Sequence, residues 1–251
     1  MRERVLGNCR ADIIALVRDG VVQGTGMLWM VLYAYFLYLS VASASGGEQP
    51  GYYARQGLLT AALFGRFAAM VFGAALGGRD GDWGTRVLRF TESSRVAIVI
   101  GRFLLLAIMS MAITVVAWLP GTLLDWIAGL AAWPSVGGAV QFVVGMTAIF
   151  FWSCIAFAVA SLTGGFAAGA ILPICWVLAE MWLEGNVPAA VTFLPEWNSL
   201  IVLRHAFTVD EGVVSPWTGR PTSLWIGVGV SLGYLAASVG ASSVAIARRE
   251  I

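Results

Sequence analysis

The sequence predicts an all-α integral membrane protein with six transmembrane helices, and three observations predict it. The 251 residues are 59% hydrophobic and only 12% charged, with mean hydropathy +0.83, against about 25% charged residues in soluble domains. Six runs, residues 24–44, 58–77, 96–119, 136–162, 166–183 and 224–247, each come close to the roughly 20 mostly apolar residues that a helix needs to cross the hydrocarbon layer. The stretches between them are too short for a soluble unit, so residues 1–251 read as a single transmembrane domain.

Ahead of the first run, residues 2–19 read as an amphipathic helix lying on the membrane. Val5, Leu6, Cys9, Ile13, Leu16 and Val17 share one face, and Arg4, Asn8, Asp12, Arg18 and Asp19 share the other. The first apolar run starts behind this charged stretch, and no short basic start is followed by a small-residue cleavage site, so a cleaved signal peptide is not expected. The first span carries Trp29, Tyr33, Tyr35, Phe36 and Tyr38, aromatic side chains suited to lipid packing or to lining a cavity.

The second span places Ala61, Gly65, Ala69, Gly73 and Gly77 four residues apart, a smooth stripe for close helix packing. Gly165 with Gly169 and Gly229 with Gly233 repeat the spacing. It also holds Arg66 near its middle. Buried charge is costly in hydrocarbon, so Arg66 is expected to face protein, either along a translocation path with Tyr33 or paired with Glu180 of the fifth span. The cytoplasmic loop 78–95 is a charged island in which Trp83, Val87 and Phe90 recur at helical spacing beside Arg86 and Arg89, with Asp82 placed as a cap.

After the third span, residues 120–135 form a short Trp-bearing link. Residues 163–165 leave so little chain that spans four and five must be an antiparallel pair. The outer segment 184–222 contains a central part, 197–207, apolar enough for a short surface helix or a re-entrant hairpin bounded by Pro195; both forms remain open at this point.

Orientation follows from arginine. All 15 basic residues are Arg and none is Lys, which, with the abundance of Ala and Gly, points to a GC-rich bacterial genome and so to a bacterial plasma membrane. With the N-terminus cytoplasmic, Arg2, Arg4, Arg10, Arg18, Arg79, Arg86, Arg89, Arg95, Arg102, Arg248 and Arg249 lie inside and only Arg55, Arg204 and Arg220 outside. Both termini are then cytoplasmic. Trp118, Trp126, Trp133, Trp182, Trp197, Trp217 and Trp225 fall near the outer interface, where an indole is comfortable.

Composition also excludes much chemistry. One histidine, His205, leaves no material for a His-based metal site or triad, and without lysine a standard phosphate-binding loop is impossible. The chain is therefore expected not to be an enzyme. The three cysteines form no metal pattern, although Cys154 and Cys175 sit at similar depth on neighbouring spans and a contact between them is conceivable.

The island carries a more specific signal. It reads Asp82, Trp83, Gly84, Thr85, a short apolar helix with Arg86, Val87, Arg89 and Phe90, then Thr91, Glu92, Ser93, Ser94 and Arg95, with Arg102 seven residues on. This register resembles the cytoplasmic stretch between spans two and three in permeases of the ABC-type-2 exporter family, with Glu92 where that family usually has proline. The family plan of an interfacial helix, six spans, a small-residue turn between spans four and five and a Pro-bearing outer segment covers the whole chain. The resemblance implies that residues 82–90 are a coupling helix docking on a separate ATPase, with two ATPase copies and a second permease, identical or homologous, in the complex. It implies no cofactor in this chain, ATP and Mg2+ on the ATPase, a lipid surrounding and no nucleic acid. The expected function is export of a drug-like, lipid or peptide cargo, against the alternatives of an ion-coupled secondary transporter, which calls for intramembrane acid pairs, or a non-transporting scaffold.

Overall fold

The computed structural model describes residues 2–44, 50–78, 95–130, 136–186, 193–207 and 223–248. All regular structure among these residues is helical, with no strand. After the N-terminal helix Arg2–Arg18, the spans are Gly20–Ala42 (first), Tyr52–Gly78 (second), Arg95–Ile127 (third), Val136–Thr163 (fourth), Phe166–Asn186 (fifth) and Leu224–Arg248 (sixth). The short helix Pro195–Phe207 lies between the last two. Among the described residues six helices are long and apolar enough to cross a bilayer, and the chain is a multi-pass membrane protein.

Local chemistry sets the boundaries. The first span begins four residues before the expected position 24, because the Asp19 carboxylate accepts the amides of Val21 and Val22 and caps it. The third span runs on past Pro120, where the sequence suggested a link. Proline removes the amide that would meet the Val116 carbonyl. The neighbouring carbonyls are occupied nonetheless: the Tyr33 hydroxyl donates to Ala117 O at 2.5 Å and the Thr122 hydroxyl to Trp118 O at 2.9 Å. Beyond the proline, both carboxylate oxygens of Asp125 accept the amides of Tyr53 (2.9 Å) and Ala54 (2.8 Å), which caps the second span from another helix.

The second span is the centre of the bundle. It packs most extensively on the fourth span, then on the third, mainly along its first half, and then on the fifth. It consists of three pieces, α-helix Tyr52–Thr60, a π-helical turn Ala61–Gly65 and α-helix Arg66–Gly78. The four-residue stripe does not face one partner. Each step of four residues advances the helix by about 40° beyond a full turn, so sixteen residues wind the stripe through ~160°. Accordingly Gly65 abuts Ile113 and Trp29 of spans three and one, whereas Gly73 and Gly77 lie on the Ser153 and Phe157 carbonyls of span four. Of the shorter repeats, Gly169 is pressed against Ala160, while a Cβ at Gly165, Gly229 or Gly233 would meet open space. Spans one and six are peripheral and mostly exposed.

Two further expectations are corrected. Cys154 is buried and Cys175 exposed, both as free thiols, so no disulfide joins them. Trp126, Trp182 and Trp225 are exposed as interface residues would be, but Trp197 is buried against Leu183 and Leu194.

Candidate functional site

One cluster of buried charged residues gathers around Arg66. The π-helical turn ends at Gly65, so Arg66 opens the lower α-helix of the second span, next to a turn with one residue more than an α-helix holds. Such turns redirect the side chains that follow and recur at functional sites. The Arg66 guanidinium donates through Nη1 to Glu196 Oε2 at 2.6 Å, with side chains 6% and 2% exposed. Its Nε has no acceptor among the described residues, and its Cζ lies 5.3 Å from the Phe67 ring.

Glu196 is the second residue of the helix Pro195–Phe207, whose first turn (Glu196, Trp197, Asn198, Ser199) is buried. The partner expected for Arg66 was Glu180, and this is a correction. Glu180 instead turns one oxygen, Oε2, toward the start of that helix and accepts the amides of Glu196 (2.9 Å) and Trp197 (3.1 Å). A carboxylate at a helix N-terminus satisfies amides that have no intrahelical partner and complements the positive end of the helix dipole. Glu180 therefore positions the helix, and the helix presents Glu196 to Arg66.

Depth gives the arrangement its meaning. Glu180 stands six residues before the end of the fifth span at Asn186, roughly 9 Å along the axis. The short helix thus starts beside the fifth span, well before that span's end, and residues 195–207 are helical throughout. The sixth span closes on it: a Cβ at Gly227 would lie 3.2 Å from the Asn198 carbonyl. His205, further along, sits with Nδ1 2.9 Å from the Ile201 carbonyl one turn back, an ordinary helical satisfaction. Among the described residues the centre thus gathers two carboxyls and one guanidinium, in a setting where uncompensated charge costs several kcal/mol.

Tyr33 is not part of this centre. It is buried between the first and third spans, donating to Ala117 O and stacked on Trp29 at 5.8 Å, beside Gly57 and Gly65 of the second span.

A second buried pair fastens the N-terminal helix. Asp12, read from the sequence as part of the solvent-facing arc, is 1% exposed, and its Oδ2 lies 3.8 Å from Nε of Arg102, itself 0% exposed. Cys9 Sγ–H donates to Gly101 O at 3.2 Å, and Leu16 completes the inward face. Leu6, Ile13 and Val17 point away from the protein, where a membrane surface would meet them. The inward face thus runs through Cys9, Asp12 and Leu16, a helical spacing that reading by polarity alone misses because Asp12 belongs to a pair.

Of the residues expected to couple to an ATPase, Asp82, Trp83, Gly84, Thr85, Arg86, Val87, Arg89 and Phe90 lie outside the described residues, as does the side chain of Arg95. Arg102 is the one member of that motif with a described side chain. Glu196, Asp12 and Asp125 are the polar residues that sequence reasoning did not single out. Compared with protein-family models and with curated proteins, the chain matches none.

Proposed function

We propose that this chain is the permease subunit of an ATP-driven exporter of the ABC-type-2 kind, working as a dimer of permeases with two separate ATPase subunits that hold ATP and Mg2+. The observation that carries the reading is Arg102. It ends the cytoplasmic motif that begins at Asp82, and it is fully buried against Asp12 of the N-terminal helix. A charge at that depth needs a partner, and this one joins the interfacial helix to the start of the third span. A push delivered to residues 82–90 would then reach both together. In this reading Trp83, Val87 and Phe90 are the apolar anchors on the ATPase, with Arg86 and Arg89 at the rim. The cargo is drug-like, lipid or peptide, released on the side of the short helix 195–207 in a bacterial plasma membrane with both termini cytoplasmic.

The test is co-purification with a co-expressed exporter-type ATPase subunit from the same source, using Trp83→Asp with Phe90→Asp. The expected result is loss of ATPase association and of ATP-dependent export, while the variant elutes as a monodisperse membrane protein. Unchanged association and export in that variant would sink the proposal.

One observation favours a second reading, ion-coupled transport. Glu180 and Glu196, from separate elements, converge with Arg66 inside the bundle, the kind of buried acid pair a secondary transporter uses. Export from sealed vesicles separates the two: dependence on ATP with indifference to a protonophore supports the first, and the reverse supports the second.

A further inference from the structure

A cleft of about 420 Å³ opens between the last two turns of the first span and the upper piece of the second. It is separate from the Arg66 centre and from the N-terminal helix. Its volume falls within the ~300–1,000 Å³ of small-molecule sites, and its walls are graded. At the floor the Phe36 and Phe64 rings stack at 4.5 Å and 16°, with Leu63 beside them. Toward the loop end stand Ser43, Tyr52, Gln56 and Thr60. Phe36 to Ser43 spans seven residues, so the gradient runs over roughly 10 Å. None of the described lining residues is charged.

The hydrogen-bonding groups divide in an informative way. Hydroxyls elsewhere in the spans, Thr114, Thr122, Thr147 and Ser242 among them, donate to the carbonyl one turn back. In the cleft Ser40 does the same with Phe36 O, and Ser43 donates to Ser40 O. Thr60 does not, although the Gln56 carbonyl lies one turn back, and among the described residues neither the Thr60 hydroxyl nor the Gln56 amide has a partner. Both groups carry donor and acceptor together. The π-helical turn Ala61–Gly65 follows Thr60 directly and forms the wall that presents Leu63 and Phe64.

We propose that this cleft is a binding site for an uncharged amphiphile, with a ring or alkyl tail on Phe36 and Phe64 and a hydroxylated or amide head on Gln56 and Thr60. A charged head would lose hydration with no counter-ion among the described residues of the cleft. A neutral head exchanges water for the amide and hydroxyl at little net cost. The site stands independently of the exporter reading, because no ATPase enters either the argument or the test. Its occupant comes from the bilayer as a neutral lipid or from solution as a transported solute, and the same chemistry serves both.

The experiment uses the full chain in nanodiscs of phosphatidylethanolamine and phosphatidylglycerol. The probe is a monoacylglycerol with a diazirine in its acyl chain, compared with the fatty acid of the same chain, and adducts are mapped by mass spectrometry. The expected result is saturable labelling of residues 36–43 and 56–64 by the monoacylglycerol, at least tenfold above the fatty acid. Thr60→Trp, which fills the cleft, and Gln56→Leu, which removes the head contact, should each lower it at least fivefold with an unchanged unfolding temperature. Equal labelling by both probes, or adducts spread evenly over the exposed faces of spans one and six, overturns the site. So does labelling that withstands both variants. Lipid co-purifying with the wild type and lost in Thr60→Trp assigns the bilayer source; its absence, with competition by added neutral solutes, assigns the other.

Discussion

Removing the carboxylate of Glu196 is the sharpest perturbation of the interior. At 2.6 Å the attraction between Arg66 and Glu196 is about 6 kcal/mol for an effective dielectric near 20. Desolvation of two buried ions offsets most of it, so the pair as a whole adds little over apolar side chains of similar size. Breaking one half is different, because it strands the other charge at a cost of about 3–5 kcal/mol. In Glu196→Ala the backbone amides that hold Glu180 persist, so Glu180 stays close enough to compensate in part. The expected loss is therefore about 3 kcal/mol, or roughly 6–12 °C in unfolding temperature for a chain of this length. Arg66→Met combined with Glu196→Leu should fall within about 1 kcal/mol of wild type. Thermal unfolding of purified protein in one detergent, followed by intrinsic fluorescence across the double-mutant cycle, gives both numbers. Neutral interhelical hydrogen bonds in membranes average only about 0.6 kcal/mol. A single-variant loss of that size, or a double variant worse than the two singles together, would refute the treatment of this pair as a buried ionic contact.

Four further outcomes follow from the geometry. Gly73→Ala would place a Cβ 2.2 Å from the Ser153 carbonyl, so a loss of about 2 kcal/mol or more is expected, whereas Gly229→Ala should stay within ~0.5 kcal/mol; equal effects would contradict the packing of span two on span four. Asp125→Ala removes the cap on Tyr53 and Ala54 and should cost about 1–2 kcal/mol, with proteolysis between spans one and two as the local readout. Tyr33→Phe removes the hydroxyl with which Tyr33 donates to the Ala117 carbonyl and should lower stability by about 1 kcal/mol while leaving the Arg66 double-mutant cycle unaltered. Burial, and then the charge of Asp12, push the Cys9 thiol up from its ordinary value; the fold thus favours the neutral thiol, and the stability this contributes is full below the ordinary thiol pKa and declines above it. Maleimide labelling of Cys9 should accordingly be slow at neutral pH, with a rate–pH profile that Asp12→Asn moves to lower pH; an unmoved profile would show that the Asp12 charge does not reach the thiol.

The architecture was legible because a spanning helix announces itself by length and apolarity, which need no partner to be recognised. Arg66 was legible for a related reason: a lone charge in hydrocarbon must face protein, and it does. Its partner was not, since Glu196 lies 130 residues away in a stretch whose composition suits several depths. Asp12 misled in the opposite direction. On a helical wheel it extends the polar arc, and only the position of Arg102 on another helix turns that arc inward. Pro120 suggested an end to the third span because the rule for proline is local, whereas Tyr33 and Thr122, which occupy the neighbouring carbonyls, come from the tertiary arrangement and the following turn. The π-helical turn at Ala61–Gly65 left no compositional trace, and the cleft beside it could be found only once two spans were set against each other.

The cap that Glu180 places on the helix Pro195–Phe207 bears on the order in which the protein is made. A helix of thirteen residues is too short to cross the bilayer, so no insertion step of its own brings it to depth. It can descend only after the second and fifth spans stand side by side, since the guanidinium that receives its carboxylate and the carboxylate that receives its amides come from those two. During synthesis Arg66 and Glu180 each enter the membrane before the residue that completes them, every one carrying an insertion penalty of up to about 3 kcal/mol that its apolar neighbours must outweigh. The short helix is then the last interior piece to seat, and a nascent chain halted before residue 195 would leave both charges waiting for it.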